Sequence, residues 1–406
     1  MGDTWQGHTP GTGGYRRLLT GLFLAGVATF AQLYSPQGLL PLISRDLGVS
    51  ADQAALLIST STLGLALSVI PWAFIGDRIG RKRAMTWSIV LACTAAVVTV
   101  VVPTFELMLA FRLLEGLALG GVPALALAYL NEEVHPKTAA QAAGTYVGGT
   151  VIGGLSGRII AAPLGDLLGW RLGVLVVVVL AVLCAAGFVA LSPRALNFVP
   201  GRQSLTEALR SITGNLRSPL LLSMYLHAML LMGGFVAIYN FLGFHLMEEP
   251  FFLPVSLVSM VFLAYLAGSY TSPWAGKQAG KYGHRRVLIH LVIVMIGAVL
   301  LTLTPWLWLV IIGLVVFTGA FFGAHSVASG WAASGAVAGR AQSSALYNVG
   351  YYTGSSLFGW LGGVFLHFYG WSGTVLMTAG LALISLVLAI VIRPGRPAAD
   401  GSSSNP

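Results

Sequence analysis

"PWAFIGDRIGRKRAM" occupies residues 71–85, and its last ten positions hold one acid, Asp77, and four bases, Arg78, Arg81, Lys82 and Arg83. Charged residues make up only 9% of the chain, and the flanking segments 52–74 and 84–102 carry no charge between their ends. A helix rises 1.5 Å per residue and needs about 20 apolar residues to cross the hydrocarbon core of a bilayer. The charged knot therefore reads as a short loop between two membrane-spanning helices.

Working outward, the same alternation fills the 406 residues, which are 56% hydrophobic and include 51 glycines, with a mean hydropathy of +0.83. Twelve apolar runs stand out, at about 17–40, 52–74, 84–102, 105–130, 138–162, 169–191, 219–244, 254–275, 286–304, 306–331, 340–366 and 372–393. The fold class is thus an all-α membrane protein with twelve transmembrane helices. Abundant glycine within spans suits close helix packing, because neighbouring helices re-satisfy freed backbone groups. The first run is too long for a signal-peptide core and reads as an uncleaved helix.

Cytoplasmic loops retain Lys and Arg. With the amino terminus inside, eighteen bases fall on the cytoplasmic side and only Arg45 and Arg171 on the other, while Arg112 and Arg158 lie within spans. This predicts cytoplasmic termini in a multi-pass cell (inner) membrane protein. It also accounts for the net charge of +9 with the lipid bilayer as partner and no nucleic acid. Cys93 and Cys184 sit in apolar runs and read as packing residues, without a disulfide or metal site.

The longest inner loop divides six spans from six. The expected organisation is a tail over 1–16, a bundle over 17–191, a linker over 192–218, a second bundle over 219–393 and a tail over 394–406, both tails being disordered. Within the linker, "SLTEALRSITGNLRSP" suits a short interfacial helix with Leu205, Leu209 and Ile212 on one face, or a plain solvated linker. The halves echo each other: "PWAGKQAGKYGHRRVL" (273–288) parallels 71–85, and Tyr146, Gly149, Gly153, Gly169 and Trp170 recur at a spacing of 201 as Tyr347, Gly350, Gly354, Gly370 and Trp371. A parallel repeat of this kind places a cavity between pseudo-symmetric bundles near the bilayer midplane.

These residues resemble the major facilitator superfamily in its twelve-helix form, whose loop between helices 2 and 3 reads G-x-L-a-D-r-x-G-r-k-x-x-l. Asp77, Arg78, Gly80, Arg81, Lys82 and Met85 fit, Ala73 replaces the leading glycine, and the second copy has Gly280 where the acid would stand. "FRLLEGLALGG" and "GTVIGGLSGRI" are similar to motifs of the bacterial drug:proton antiporter branch, with Gly149, Gly153 and Gly157 in place for helix packing. Gly154 stands at the family's proline and Arg158 at its last glycine. The resemblance implies a secondary transporter for a small-molecule substrate and protons; no motif calls for a cofactor, and with no feature pointing to an oligomer a monomer is expected. It also implies a cytoplasmic gate, in which Asp77 sits near the start of the eleventh helix, around Arg340 to Ser343, and Arg81 reaches Glu132 or Glu133. That gate would tie the halves together on the inner side.

An ionised side chain in the bilayer core faces a cavity or a partner, which singles out Arg112, Glu115 and Arg158. Arg112 and Glu115 are three apart and share a helix face. A carboxyl moved between a dry and a cation-paired environment would load and release a proton, so these three are the proton-coupling candidates; a static pair locking the fourth helix to the fifth is the alternative. Members of the branch often place an acid in the first helix, where this chain has only Gln32 and Tyr34. The substrate-cavity candidates are Gln32, Tyr34, Asn240, His325, Trp331, Tyr347, Asn348 and Tyr351, with Tyr347 and Tyr351 on one face and an aromatic pocket implied for an amphipathic solute.

No phosphate-cradling G-x-x-x-x-G-K-[ST], metal-ligand spacing or nucleophile elbow occurs, so neither ATP-driven transport nor an enzyme is suggested. The leading function is proton-coupled antiport exporting a small amphipathic compound by alternating access. Export of a sugar or other hydrophilic metabolite is the runner-up, and a transport-inactive sensor or scaffold is the reading from another class.

Overall fold

The computed structural model describes residues 7–196, 198, 205–337 and 339–392. Among these, eleven helices are long and apolar enough to cross a membrane. The first ten are α1 (Gly13–Leu47), α2 (Ala51–Ile79), α3 (Arg81–Val101), α4 (Phe105–Glu133), α5 (Ala139–Leu168), α6 (Trp170–Leu191), α7 (Pro219–Leu246), α8 (Val255–Tyr282), α9 (His284–Leu301) and α10 (Leu307–Ser334). The last, Arg340–Val391, runs for 52 residues, but its backbone leaves helical geometry at Gly370 (φ 63°, ψ −161°). It therefore makes two crossings, α11 (340–369) and α12 (371–391), and the chain crosses twelve times.

Helix starts follow ordinary capping chemistry. Ser50 and Gln53 form a capping box at α2, and Thr104 and Ser218 cap α4 and α7. Several helices outrun their apolar stretches: α2 continues to Ile79 and α8 to Tyr282. The charged knot is thus carried on two helix ends, where polar side chains reach water while the backbone stays hydrogen-bonded. Gly80 turns the chain with φ 95° and ψ 145°, and its repeat partner Gly283 does so with φ 88° and ψ 143°. A side chain is strained in that conformation.

The pseudo-symmetry extends to packing. A Cβ on Gly153 would lie 2.7 Å from the Val27 Cα of α1, and one on Gly157 would lie 2.4 Å from the Ala31 carbonyl oxygen. In the second half, a Cβ on Gly354 would lie 1.9 Å from the Met229 carbonyl oxygen of α7. The α1–α5 and α7–α11 pairs thus use the same device, small residues letting two backbones touch.

The two ends of the bundle differ. At the end away from Asp77, Asp52 of α2 abuts Gly363 of α11 and Pro41 of α1 abuts Gly243 of α7, closing the halves on each other. At the end bearing Asp77 and Arg81, here the basic end, cavities separate them.

Residues 7–16, expected within a disordered tail, are partly anchored. His8 pairs with Val134, its N–H donating to the Glu133 carbonyl at 2.8 Å, and Thr12 caps α1. Residues 1–6 and 394–406 lie outside the described residues, as does part of the linker. The linker does form a short helix, Leu205–Leu216, the first of its two expected forms. Leu209 is exposed, while Ala208 and Asn215 are buried and Ile212 borders a cavity. The smaller residues face inward because the helix docks on the basic ends of α7 and α11.

Candidate functional site

The site begins with Pro36. A proline has no N–H to donate back along a helix, and α1 is interrupted here, passing from Tyr34 through a short 3₁₀ turn at Gln37–Leu39 before resuming at Leu40. The break exposes carbonyls at the end of a helical segment, the place that favours a cation. Arg112 of α4 supplies one. Its Nη2 donates to the Leu33 carbonyl at 2.6 Å, its Nη1 to Gln32 at 3.3 Å and to Glu115 Oε2 at 2.7 Å, and its Nε to the Leu57 carbonyl of α2 at 2.8 Å. Arg112 is 2% exposed and Glu115 0%, and Glu115 Oε1 has no hydrogen-bond partner among the described residues. The pair ties α4 to α1 and α2. It does not join α4 to α5.

Arg158 of α5 approaches the same break from the other side. It does not meet Glu115, because α1 stands between them. Its Nε donates to Gln37 Oε1 at 2.6 Å, its Nη1 to the Gly154 carbonyl and its Nη2 to the Tyr265 hydroxyl at 3.3 Å. Its guanidinium lies 4.2 Å from the Tyr34 ring centroid and 4.7 Å from that of Tyr265. Gln37 Nε2 in turn donates to Asn240 Oδ1 at 2.7 Å, and Asn240 Nδ2 to the Gly359 carbonyl at 3.1 Å. A polar chain thus runs across the seam from α5 through α1 to α7 and α11. Gln37, uncharged and in no motif, was not among the expected residues; its signal in the sequence is the "SPQG" break that turns it into the seam.

Below this chain lies a cavity of about 680 Å³ in the basic-end half of the interface, between α4 and α5 on one side and α8, α10 and α11 on the other. His325, Tyr347, Asn348 and Tyr351 line it. The Tyr347 hydroxyl lies 2.9 Å from His325 Nδ1, and the His325 and Tyr351 rings are 4.8 Å apart. A smaller space of about 100 Å³ adjoins it, sharing Phe30, Tyr265, Phe322 and Tyr351, and is lined at its head by Tyr34 and Arg158. Exposure falls inward: Ser344 is exposed, Tyr351 is half-buried and Arg158 is buried.

Three of the expected cavity residues lie elsewhere. Gln32 turns into the first half, donating to the Ala28 carbonyl at 2.9 Å and approaching Cys93. Asn240 belongs to the seam itself. Trp331, six residues beyond His325 and so rotated to another helix face, stacks on His284 with ring centroids 5.6 Å apart.

At the basic end, Arg81 pairs with Asp77 and donates from Nε to Glu132 Oε1 at 3.0 Å. Asp77 and Arg81 face Ala341 and Gln342 of α11 and Ala208 and Ile212 of the linker helix across a cavity of about 270 Å³. Arg78 points away, into a separate basic space with Arg83 and Arg194. Glu133 accepts from the Leu196 N–H at 2.8 Å, anchoring the start of the linker rather than meeting Arg81. Gly149, Gly153 and Gly157 lie along the α1 contact.

Twelve crossings in two similar halves around an interfacial cavity define a multi-pass membrane transporter. The chain belongs to the Major Facilitator Superfamily, whose family model matches residues 22–270 and 247–405. It is 36% identical to the inner membrane transport protein YnfM of Escherichia coli (strain K12), over 93% of this chain and 91% of that one. It is 33% identical to the uncharacterized MFS-type transporter YybF of Bacillus subtilis (strain 168), over 93% and 94%. Among solved structures, an inward-facing bacterial homologue of the human lysosomal transporter Spinster superposes with a TM-score of 0.73 at 17% identity, over 95% of this chain and 96% of that one. A mutant of the nucleoside transporter NupG superposes with a TM-score of 0.73 at 16% identity, over 92% and 99%. The chain is a transporter of small molecules and not an enzyme.

Proposed function

We propose that this transporter exports a small amphipathic organic solute in exchange for protons, by rocking of its two halves about the interfacial cavity. The observation that carries this reading is the one-sided cavity of about 680 Å³, lined from both halves by aromatic rings, hydroxyls and one imidazole. Its volume and mixed lining suit an organic molecule with an apolar body and a few polar groups. The excess of Lys and Arg at the cavity's end of the bundle supports placing that end, and both termini, in the cytoplasm. Loading from the cytoplasm would then be followed by release once the Gln37–Asn240 seam parts and the basic end closes around Asp77 and Arg81.

Glu115 is the proposed proton site. It is fully buried with one oxygen lacking a hydrogen bond among the described residues, so a shift of α4 against α1 that loosened Arg112 would leave the carboxyl to take up a proton. A second reading has a specific basis: Arg112 makes three bonds to backbone carbonyls, which suits a static clamp. Vesicles with an imposed pH gradient, screened with a chemically broad solute panel for solute-driven proton movement, separate the two. Under the proposal Glu115→Gln abolishes coupled proton flux; flux that survives unchanged assigns the pair to the clamp alone.

A further inference from the structure

Arg158 is the one permanent charge lining the interfacial cavity and the space adjoining it, and no carboxylate lines either among the described residues. No ion pair among the described residues includes it, although it is 2% exposed. All its hydrogen-bond partners are neutral: a side-chain amide, a backbone carbonyl and a phenol. These bonds use one N–H on each nitrogen, so the second N–H of both Nη atoms is uncommitted among the described residues. Tyr34, Tyr265 and Phe262 surround the guanidinium with π faces, which lower its cost of burial without cancelling its charge.

A purely structural arginine in this position would be expected to carry a counter-charge, as Arg112 does. Here no carboxylate among the described residues balances the guanidinium, and the cavity leads to it.

We infer that Arg158 anchors an anionic group of the transported solute, so the substrate class is an amphipathic organic anion such as an aromatic carboxylate or sulfonate. The planar fork matches a carboxylate or sulfonate edge, and the rings of Tyr34, Tyr265 and Tyr351 receive the apolar body. An arriving anion takes the uncommitted Nη N–H groups and draws the guanidinium's charge away from Gln37 Oε1, which accepts from Nε. Gln37 is also the residue that clasps Asn240, so occupancy of the anchor weakens the seam that holds the far end shut. This inference rests on the interfacial cavity being the transport site.

The test uses the purified full chain and three probes, benzoate, phenylacetate and naphthalenesulfonate, each beside its neutral amide and a cationic amine of the same skeleton. Binding is measured by calorimetry, and proton flux in vesicles. The expected result is anion binding about 10- to 100-fold tighter than that of the neutral isosteres, with the preference lost in Arg158→Gln and partly kept in Arg158→Lys. Equal binding across the charge series, a preference for the amines, a preference that survives in Arg158→Gln, or no anion binding to folded wild-type protein overturns the anchor. Should Arg158→Gln fail to fold, the charge series on the wild-type chain decides. Neutral solutes that drive proton flux while anions neither bind nor do so would overturn the anchor and leave the exporter standing. Anions that bind at Arg158 while no solute of any charge moves protons would do the reverse.

Discussion

Pro36 shows how much one residue organises. It interrupts α1, and the consequences are an Arg112 clamp on the carbonyls released at the break and a Gln37 side chain turned into the seam. Sequence spacing made the Arg112–Glu115 pair legible, because three residues on a helix fix a shared face. The carbonyl partners were not legible, since they belong to other helices and backbone oxygens leave no mark in a sequence. Arg112→Met would strand both the carbonyls and the buried carboxylate, and a loss of about 3–5 kcal/mol is expected. Thermal unfolding in detergent measures it. Glu115→Gln, whose amide oxygen still accepts from Arg112, is expected to lose less than half as much. Equal losses would mean that the charge pair, rather than the carbonyl clamp, carries the stability.

Among the elements, α5 and α11 do equivalent work against α1 and α7, and glycine makes it possible. The interval of 201 residues between Gly153 and Gly354 was visible as a repeat, but the backbone contact that it serves was not. Gly354→Ala should therefore lower folded yield sharply, its Cβ falling 1.9 Å from a carbonyl oxygen that cannot move without its helix. Gly280→Ala, with nothing within 4 Å of the new carbon, should leave yield unchanged. Size-exclusion profiles of the two variants check the contrast, and comparable behaviour would remove the packing argument. The linker helix is a different case: Leu209 and Ile212 suggested an apolar face lying at the membrane interface, and Leu209 is exposed, while the residues buried are Ala208 and Asn215. Hydrophobicity ranks residues by preference, whereas the shape of the docking surface selects those that fit.

For the molecule as a whole, the arrangement is asymmetric along the bundle axis, closed where Asp52 meets Gly363 and separated around Asp77. If transport requires that closed end to part, cysteines introduced at Asp52 and Gly363, in a chain lacking Cys93 and Cys184, should cross-link under mild oxidation and stop solute flux. Reduction should restore it. Flux undiminished by a complete cross-link would show that the far end need not open.

The sequence by itself determined the membrane-spanning class, the number of crossings, the two-fold repeat and the alternation of basic and base-poor loops. Each of these depends on local composition or on spacing along one chain: about 20 apolar residues make a span wherever they occur. It also marked Arg112, Glu115 and Arg158 as costly in a bilayer and therefore as residues requiring an explanation. Only the tertiary structure decided how those charges divide. The break in α1 stands between the two arginines, giving Arg112 a carboxylate and Arg158 a cavity. Trp331, Gln32 and Asn240 lie outside that cavity for the same reason: helix rotation and the course of a broken helix are set by packing against distant segments, and a side chain's neighbours across the seam are not encoded at any fixed spacing from it.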